Sequence, residues 1–206
     1  MSKVLQIGSS ARIQGSTSRT LTQQFVKNFQ QHHPDSQIIR RDLTQPPIPH
    51  IDATWVAAYE AEPGDRTPEM NQALTLSNCL IDELLAADRY VIGVPMYNLT
   101  IPSSLKAYID QIVRRDRTLR FGPDGRPQPV LQNKKALIIA TRKFNYRPGS
   151  PAADRNFLEP YLKAILGVIG IEDVTVVVAD ELAKAESRDR NLAQAQAQLA
   201  ELAQSW

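Results

Sequence analysis

Two segments of this chain carry side chains suited to ligand chemistry. The first is Met96-Tyr97-Asn98-Leu99, set between Pro95 and Pro102. A thioether, a phenol and a carboxamide on a backbone stiffened by two prolines suit a flat, partly polar aromatic ring. They do not suit a metal. Backbone amides and the Asn98 carboxamide can hydrogen-bond a polar ring edge, while Met96 and Leu99 pack on its edge or face. The alternative is a surface loop leading into a helix capped by Thr100 or Ser103. Met, Tyr and Leu together are poor residues for a solvated loop, which favours the ring.

The second segment, 8–18, reads Gly-Ser-Ser-Ala-Arg-Ile-Gln-Gly-Ser-Thr-Ser and opens a helix. Hydroxyl donors beside the free N–H groups of a helix N-terminus make an anion site. No glycine-lysine phosphate-loop signature is present, which argues against nucleoside triphosphate hydrolysis, and no Gly-x-Gly-x-x-Gly follows the first strand. Five hydroxyl side chains without a lysine suit a phosphate monoester held in place. Taken alone, the loop supports a phosphate cradle and a simple cap by Ser16 or Ser18 equally. Its position after a strand favours the phosphate.

These segments need a scaffold that brings them together. Residues 4–7 read as a first strand and 18–33 as a helix with Leu21, Phe25, Val26 and Phe29 as its stripe. Ile38 and Ile39 mark a second strand ending at Asp42, followed by a Pro-rich connection with a helical turn near 53–59. A helix spans 68–86, entered through a Thr67 cap and Pro68. Strand 90–94 and helix 103–115 flank the Met-Tyr-Asn segment. Residues 118–129 read as a loop or short hairpin. Strand 135–140, a loop at 141–153, a helix over 154–169 interrupted at Gly167 and stopped at Gly170, strand 174–178 and a helix over 181–204 complete the chain.

Strands alternating with helices imply parallel pairing. The expected fold is an α/β, doubly wound five-stranded parallel sheet of order 2-1-3-4-5 with helices on both faces, a single domain over 1–206. In that order the crevice opens between strands one and three, so the loops after strands one, three and four meet in space.

At these residues the chain resembles the FMN-dependent NADH:azoreductases, also described as NAD(P)H:quinone oxidoreductases of flavodoxin-like fold. The matching residues are Ser9-Ser10, Ser16-Thr17-Ser18, Pro95-Met96-Tyr97-Asn98, Leu105-Lys106, Tyr108, Asp110, Arg114 and Thr118. Arg41-Asp42-Leu43, Pro47-Ile48-Pro49 and the stretch from Pro160 to Ile171 also follow the family's pattern. The resemblance implies bound FMN, its phosphate on Ser10, Ser16, Thr17 and Ser18 and its ring along Met96, Tyr97, Asn98 and Leu99. It also implies a homodimer with the flavin near the interface. NADH or NADPH would donate hydride, and a quinone or azo compound would take two electrons. The cofactor carries that chemistry, so no side chain is assigned as catalytic. The alternatives are a flavodoxin-type electron carrier, which the mildly basic balance disfavours, and a non-catalytic member of the fold.

Three departures stand out. Leu99 replaces the family's usual Phe. Thr141-Arg142-Lys143-Phe144 replaces a Ser-Arg-Gly-Gly turn. Asp116 and Leu119 stand where Gly and Phe are usual.

The remaining features read as structural. With 206 residues and a formal net charge of +2, nothing in the charge balance demands a nucleic-acid partner. Arg114, Arg115, Arg117, Arg120 and Arg126 could dock an anionic dye, a dinucleotide phosphate or nucleic acid; a solvated helix end is the favoured reading. Asp110, Asp116 and Asp124 dilute that run. The lone Cys79 excludes an internal disulfide and reads as a small buried or half-buried residue. His32 and His33 read as exposed, and no histidine pair has ligand spacing, so no metal is expected. Trp55 and Tyr59 fit either a lid or local core. No signal peptide or membrane-spanning run is read, so a cytoplasmic chain without a membrane partner is the expectation.

Overall fold

The computed structural model describes residues 2–206. Its elements are β1 (Lys3–Gly8), α1 (Thr17–His32), β2 (Gln37–Asp42), α2 (Ala53–Glu60), α3 (Pro68–Ala73), α4 (Thr75–Ala86), β3 (Arg89–Pro95), α5 (Ser103–Ile112), β4 (Leu119–Phe121), β5 (Pro127–Pro129), β6 (Lys135–Thr141), α6 (Leu158–Ile169), β7 (Asp173–Ala179) and α7 (Ala185–Ser205). The main sheet has the order β2-β1-β3-β6-β7, with every pairing parallel. With β6 and β7 counted as strands four and five, this is the expected 2-1-3-4-5 topology. The expected hairpin forms as the antiparallel pair β4–β5.

The central strands β3 and β6 are buried on both faces and read as continuous apolar runs. One face packs on α4, α5 and α6 through Leu80, Leu84, Leu105, Ile109, Leu162 and Leu166. The other packs on α1 and α7. There Phe25 and Phe29 meet the ring of Trp206 edge-on at 5.4 and 5.9 Å. Burying Phe25 completely contributes about 2–3 kcal/mol. Gly93 permits close approach of α1 to β3, because a Cβ there would overlap the Thr22 hydroxyl.

Several boundaries differ from the sequence expectation, each for a local reason. Helix 68–86 divides at Leu74 into α3 and α4. Thr67 caps α3 as expected, accepting from the Met70 N–H. Gly167 does not interrupt α6, whose tertiary packing overrides the weak propensity of a single glycine. Gly170 stops it in the left-handed region at φ 100°, where a Cβ would overlap the Leu131 carbonyl. The helix expected from 154 begins at Leu158, because 153–155 form a 3₁₀ turn and the Asn156 side chain accepts the Leu158 N–H at 3.3 Å. The last helix starts at Ala185 rather than 181, since Glu181 has φ 52° and cannot join a right-handed helix.

Two burial expectations are corrected. Cys79 is exposed, because α4 buries Ser77, Leu80, Ile81 and Leu84 and turns Cys79 outward. His33 is half-buried, its ring 4.3 Å from that of Phe29.

Candidate functional site

The carboxyl ends of β1, β3 and β6 lie side by side, and β1 and β3 are the pair between which the chain reverses its winding. A crevice opens at such a point. The loop after β1 is latched to β3: the Ser9 hydroxyl donates to the Gly93 carbonyl at 2.8 Å, and the Ser9 N–H donates to the same oxygen at 3.3 Å. Ser104, in the first turn of α5, donates its hydroxyl to the Ser9 carbonyl at 3.0 Å. The β1 loop, the end of β3 and the start of α5 are thus one unit.

Ser10, Ser16 and Ser18 are buried and Thr17 is half-buried. Ser16 is the N-cap of α1; its Oγ accepts the Arg19 N–H at 3.4 Å and lies 3.3 Å from the Ser18 Oγ. Ser10 Oγ accepts the Arg12 N–H at 3.2 Å and keeps its own proton to donate. Thr17 and Ser18 open the helix, where amide N–H groups have no carbonyl one turn back. Residues 8–18 contain no carboxylate. Caps, amides and hydroxyls therefore converge without an opposing charge.

The loop after β3 is a tight turn. Tyr97 and Thr100 exchange both backbone hydrogen bonds at 3.0 Å, and Asn98 and Leu99 between them have φ of 46° and 72°. Two positive φ values at the centre define a turn of type I′. Asn tolerates that conformation; Leu is strained by it. Asn98 is exposed, and Met96, Tyr97 and Leu99 are partly buried. The Met96 N–H donates to the Thr141 carbonyl at 2.8 Å, and the Phe157 N–H holds the Leu99 carbonyl at 3.1 Å. Neither Thr100 nor Ser103, the caps of the disfavoured alternative, caps α5; Pro102 occupies the cap position without a side-chain bond.

Sequence reading missed three positioning groups. Arg19 reaches back from the first turn of α1 to the Ser10 carbonyl at 2.7 Å, the Arg12 carbonyl at 3.0 Å and Asp42 at the end of β2. The signal was present: a cation in the first turn opposes the helix dipole and needs a partner. Arg142 is buried and paired with Glu159, which also receives the Asn156 amide. That pair braces the segment whose Phe157 N–H holds Leu99. Arg147 pairs with the buried Asp180, fixing the far side of the third loop through bonds of 2.6 and 2.9 Å.

The profile of a family described as a flavodoxin-like fold matches residues 2–203. The chain belongs to that family. Among curated relatives of this flavodoxin-like protein, one from Trichormus variabilis is 46% identical over 207 residues, covering all of both chains, and is named FMN-dependent NADH:quinone oxidoreductase 2. One from Nostoc sp., FMN-dependent NADH:quinone oxidoreductase, is 45% identical with the same coverage. A solved azoreductase from Bacillus anthracis superposes with a TM-score of 0.92 at 25% identity over all of both chains. An FMN-dependent NADH-azoreductase of Bacillus anthracis in complex with FMN superposes with a TM-score of 0.88 at 25% identity, covering 98% of each chain.

The departures from the family pattern now have positions in this flavodoxin-like chain. Lys143 and Phe144 are exposed in the third loop, while Arg142 beside them is buried. Asp116 has φ 65°, a conformation that glycine adopts freely. Arg114 corrects the expectation of a solvated helix end: it is 4% exposed, and its guanidinium donates to Ser77 Oγ at 2.9 Å and to Asn78 Oδ1 at 2.8 Å. Trp55 is core, donating its indole N–H to Gln111 Oε1 at 2.9 Å, with Tyr59 stacked on it. Among the described residues, no cluster of three metal-ligating side chains occurs, and no helix is long and apolar enough to cross a membrane.

Proposed function

We propose that this chain is an FMN-dependent NAD(P)H oxidoreductase that reduces quinones and azo compounds, working as one flavin-binding domain over 1–206. The carrying observation is the juxtaposition of an acid-free hydroxyl loop and a type I′ turn on either side of the β1/β3 switch, latched by the two Ser9–Gly93 bonds. The donor set fits FMN. Hydroxyls of Ser10, Ser16, Thr17 and Ser18, with the first-turn amides of α1, supply donors and a favourable dipole for a phosphate. Met96, Tyr97 and Leu99 supply apolar and aromatic surface for the ring, and the Asn98 amide and carboxamide supply polar contacts to its edge.

When bound, FMN supplies hydride acceptance from a reduced nicotinamide and two-electron delivery to an acceptor. The protein's part is binding and orientation. Arg19 fixes the backbone of the β1 loop, so the phosphate donors need no rearrangement on binding. The Tyr97–Thr100 turn holds Leu99 in a conformation it would rarely adopt unaided. Arg142 and Glu159 brace the segment that grips the Leu99 carbonyl.

The homodimer belongs to the same reading. Phe157, whose N–H holds the turn, and Phe144 in the third loop are 56% and 60% exposed, which suits coverage by a second copy or by a planar substrate. Light scattering tests this against the chain mass of 23.0 kDa.

The deciding experiment adds FMN to the apo-protein and follows quenching of flavin fluorescence, then follows NADH oxidation with a benzoquinone and an azo dye. Tight one-to-one binding and acceptor-dependent oxidation are expected. Absence of flavin binding sinks the reading. Flavin binding without direct reduction by NADH would turn it into an electron carrier.

A further inference from the structure

A cluster of arginines lies at the other end of α5. The N-terminal turn of α5 meets the β1 loop through Ser104, and ten residues of helix carry the chain about 15 Å away to Arg114. There a cavity of about 200 Å³ opens between the end of α2, the 3₁₀ turn Pro63–Asp65 and the end of α5. It has room for roughly six waters. Arg66, Arg114, Arg115 and Arg117 all line it.

These guanidiniums are held in place by the fold. Arg66 donates from Nε to the Ala58 carbonyl at 2.8 Å. Arg117 donates to Asn78 Oδ1 at 2.9 Å and to Asp82 at 2.6 Å. Arg115 lies over the ring of Tyr59, which is stacked on the buried Trp55. Arg114 is anchored by Ser77 and Asn78, yet its Nε is buried and has no partner. An unsatisfied buried N–H of a charged group is costly.

The carboxylates present offset the cluster only in part. Asp116 reaches Arg115 Nε at 3.5 Å and Glu62 reaches the same guanidinium at 4.0 Å, but their side chains are 76% and 77% exposed, which screens both pairs. Asp82, which holds Arg117, is 70% exposed. Burial, with Arg117 and Arg66 close by, pushes the Arg114 guanidinium down to about 10. A bound anion would relieve that repulsion.

We propose that this arginine pocket is a binding site for a phosphate-type oxyanion, separate from the hydroxyl loop. Guanidinium forks match the oxygens of such an ion. Two sources share the chemistry: free inorganic phosphate and a phosphate monoester carried on a nucleotide. None of these arginines belongs to the β1 loop or the type I′ turn, so the pocket is distinct from the proposed flavin site; only the use of FMN and NADPH in the test rests on the flavin reading.

The test is calorimetric titration of the FMN-saturated protein with inorganic phosphate in a low-salt, phosphate-free buffer. FMN fills the hydroxyl loop, so any remaining phosphate site reports on the arginines. One-to-one uptake is expected, weakened at least tenfold in Arg66→Gln and in Arg117→Gln. Both side chains are only partly buried, so these variants should fold, and unchanged FMN affinity and thermal midpoint would confirm it. Phosphate uptake that ignores both substitutions, or no uptake at all, overturns the proposal. A parallel titration with 2′-AMP separates the sources. Binding no tighter than phosphate assigns the free ion. Tighter binding, with a KM for NADPH but not NADH raised by Arg117→Gln, assigns the nucleotide.

Discussion

Arg19 and Asp42 grip each other across the carboxyl end of β1, with Nη1–Oδ2 at 2.5 Å and Nη2–Oδ1 at 2.9 Å. The same guanidinium holds the Ser10 and Arg12 carbonyls, so one side chain ties α1, β2 and the hydroxyl loop together. Removing it frees the loop backbone that must be ordered when a phosphate binds. Arg19→Gln should weaken FMN binding about tenfold, equal to about 1.4 kcal/mol, in a fluorescence titration. Arg19→Lys should not restore it, because an ammonium cannot form the two-pronged pair.

Asp42 makes the same contact sensitive to acid. Burial alone would raise its carboxyl, but the Arg19 hydrogen bond, the Thr44 N–H and hydroxyl, and the Arg19 charge outweigh burial and hold it below the ordinary range. A depressed folded value means stability that is present above about pH 4 and lost as pH falls through the folded value. Asp42→Asn should therefore cost about 1–2 kcal/mol at neutral pH. The gap to the parent should close below about pH 4. Urea midpoints measured across that range check both points; a constant gap at every pH would refute the linkage.

Leu99 sits at φ 72° with its carbonyl held by Phe157. Leu99→Gly releases backbone strain of about 1 kcal/mol while deleting a half-buried side chain. Global stability should stay within about 0.5 kcal/mol of the parent while flavin affinity falls. Leu99→Ile places a β-branched residue at the same φ and should cost about 1–3 kcal/mol. Urea unfolding and FMN titration of both variants separate the turn's strain from its contact surface.

Arg142 and Glu159 form a buried pair, with side chains 3% and 12% exposed. Glu159→Gln leaves a buried cation uncompensated and should destabilise by about 3–5 kcal/mol. Replacing both residues, Arg142→Met with Glu159→Leu, should recover most of that loss. Flavin affinity of the double variant then reports on positioning: if it matches the parent, the pair contributes stability alone.

The strand–helix alternation and the loops that follow β1 and β3 were legible because each rests on local pattern, and the sheet order followed from the winding that such alternation implies. Apolar runs bounded by glycine and proline mark buried strands, and Leu21, Phe25 and Phe29 recur at helical spacing. Boundaries at 154 and 181 were not legible. They depend on an Asn156 side-chain bond and on the left-handed Glu181, and neither leaves a periodic trace. Arg114 was misread for a related reason. A run of arginines at a helix end looks solvated until α4 packs against it and supplies Ser77 and Asn78.

The order of residues by itself determined the α/β class, the winding, and which side chains gather at the carboxyl ends of β1 and β3. Those follow from periodicity and from the reach of a chain that must cross over between parallel strands. Only the tertiary structure decided that Arg19 closes on Asp42, that Arg142 meets Glu159, and that four arginines share one cavity. Such long-range pairs depend on the relative placement of packed elements, which no local spacing encodes.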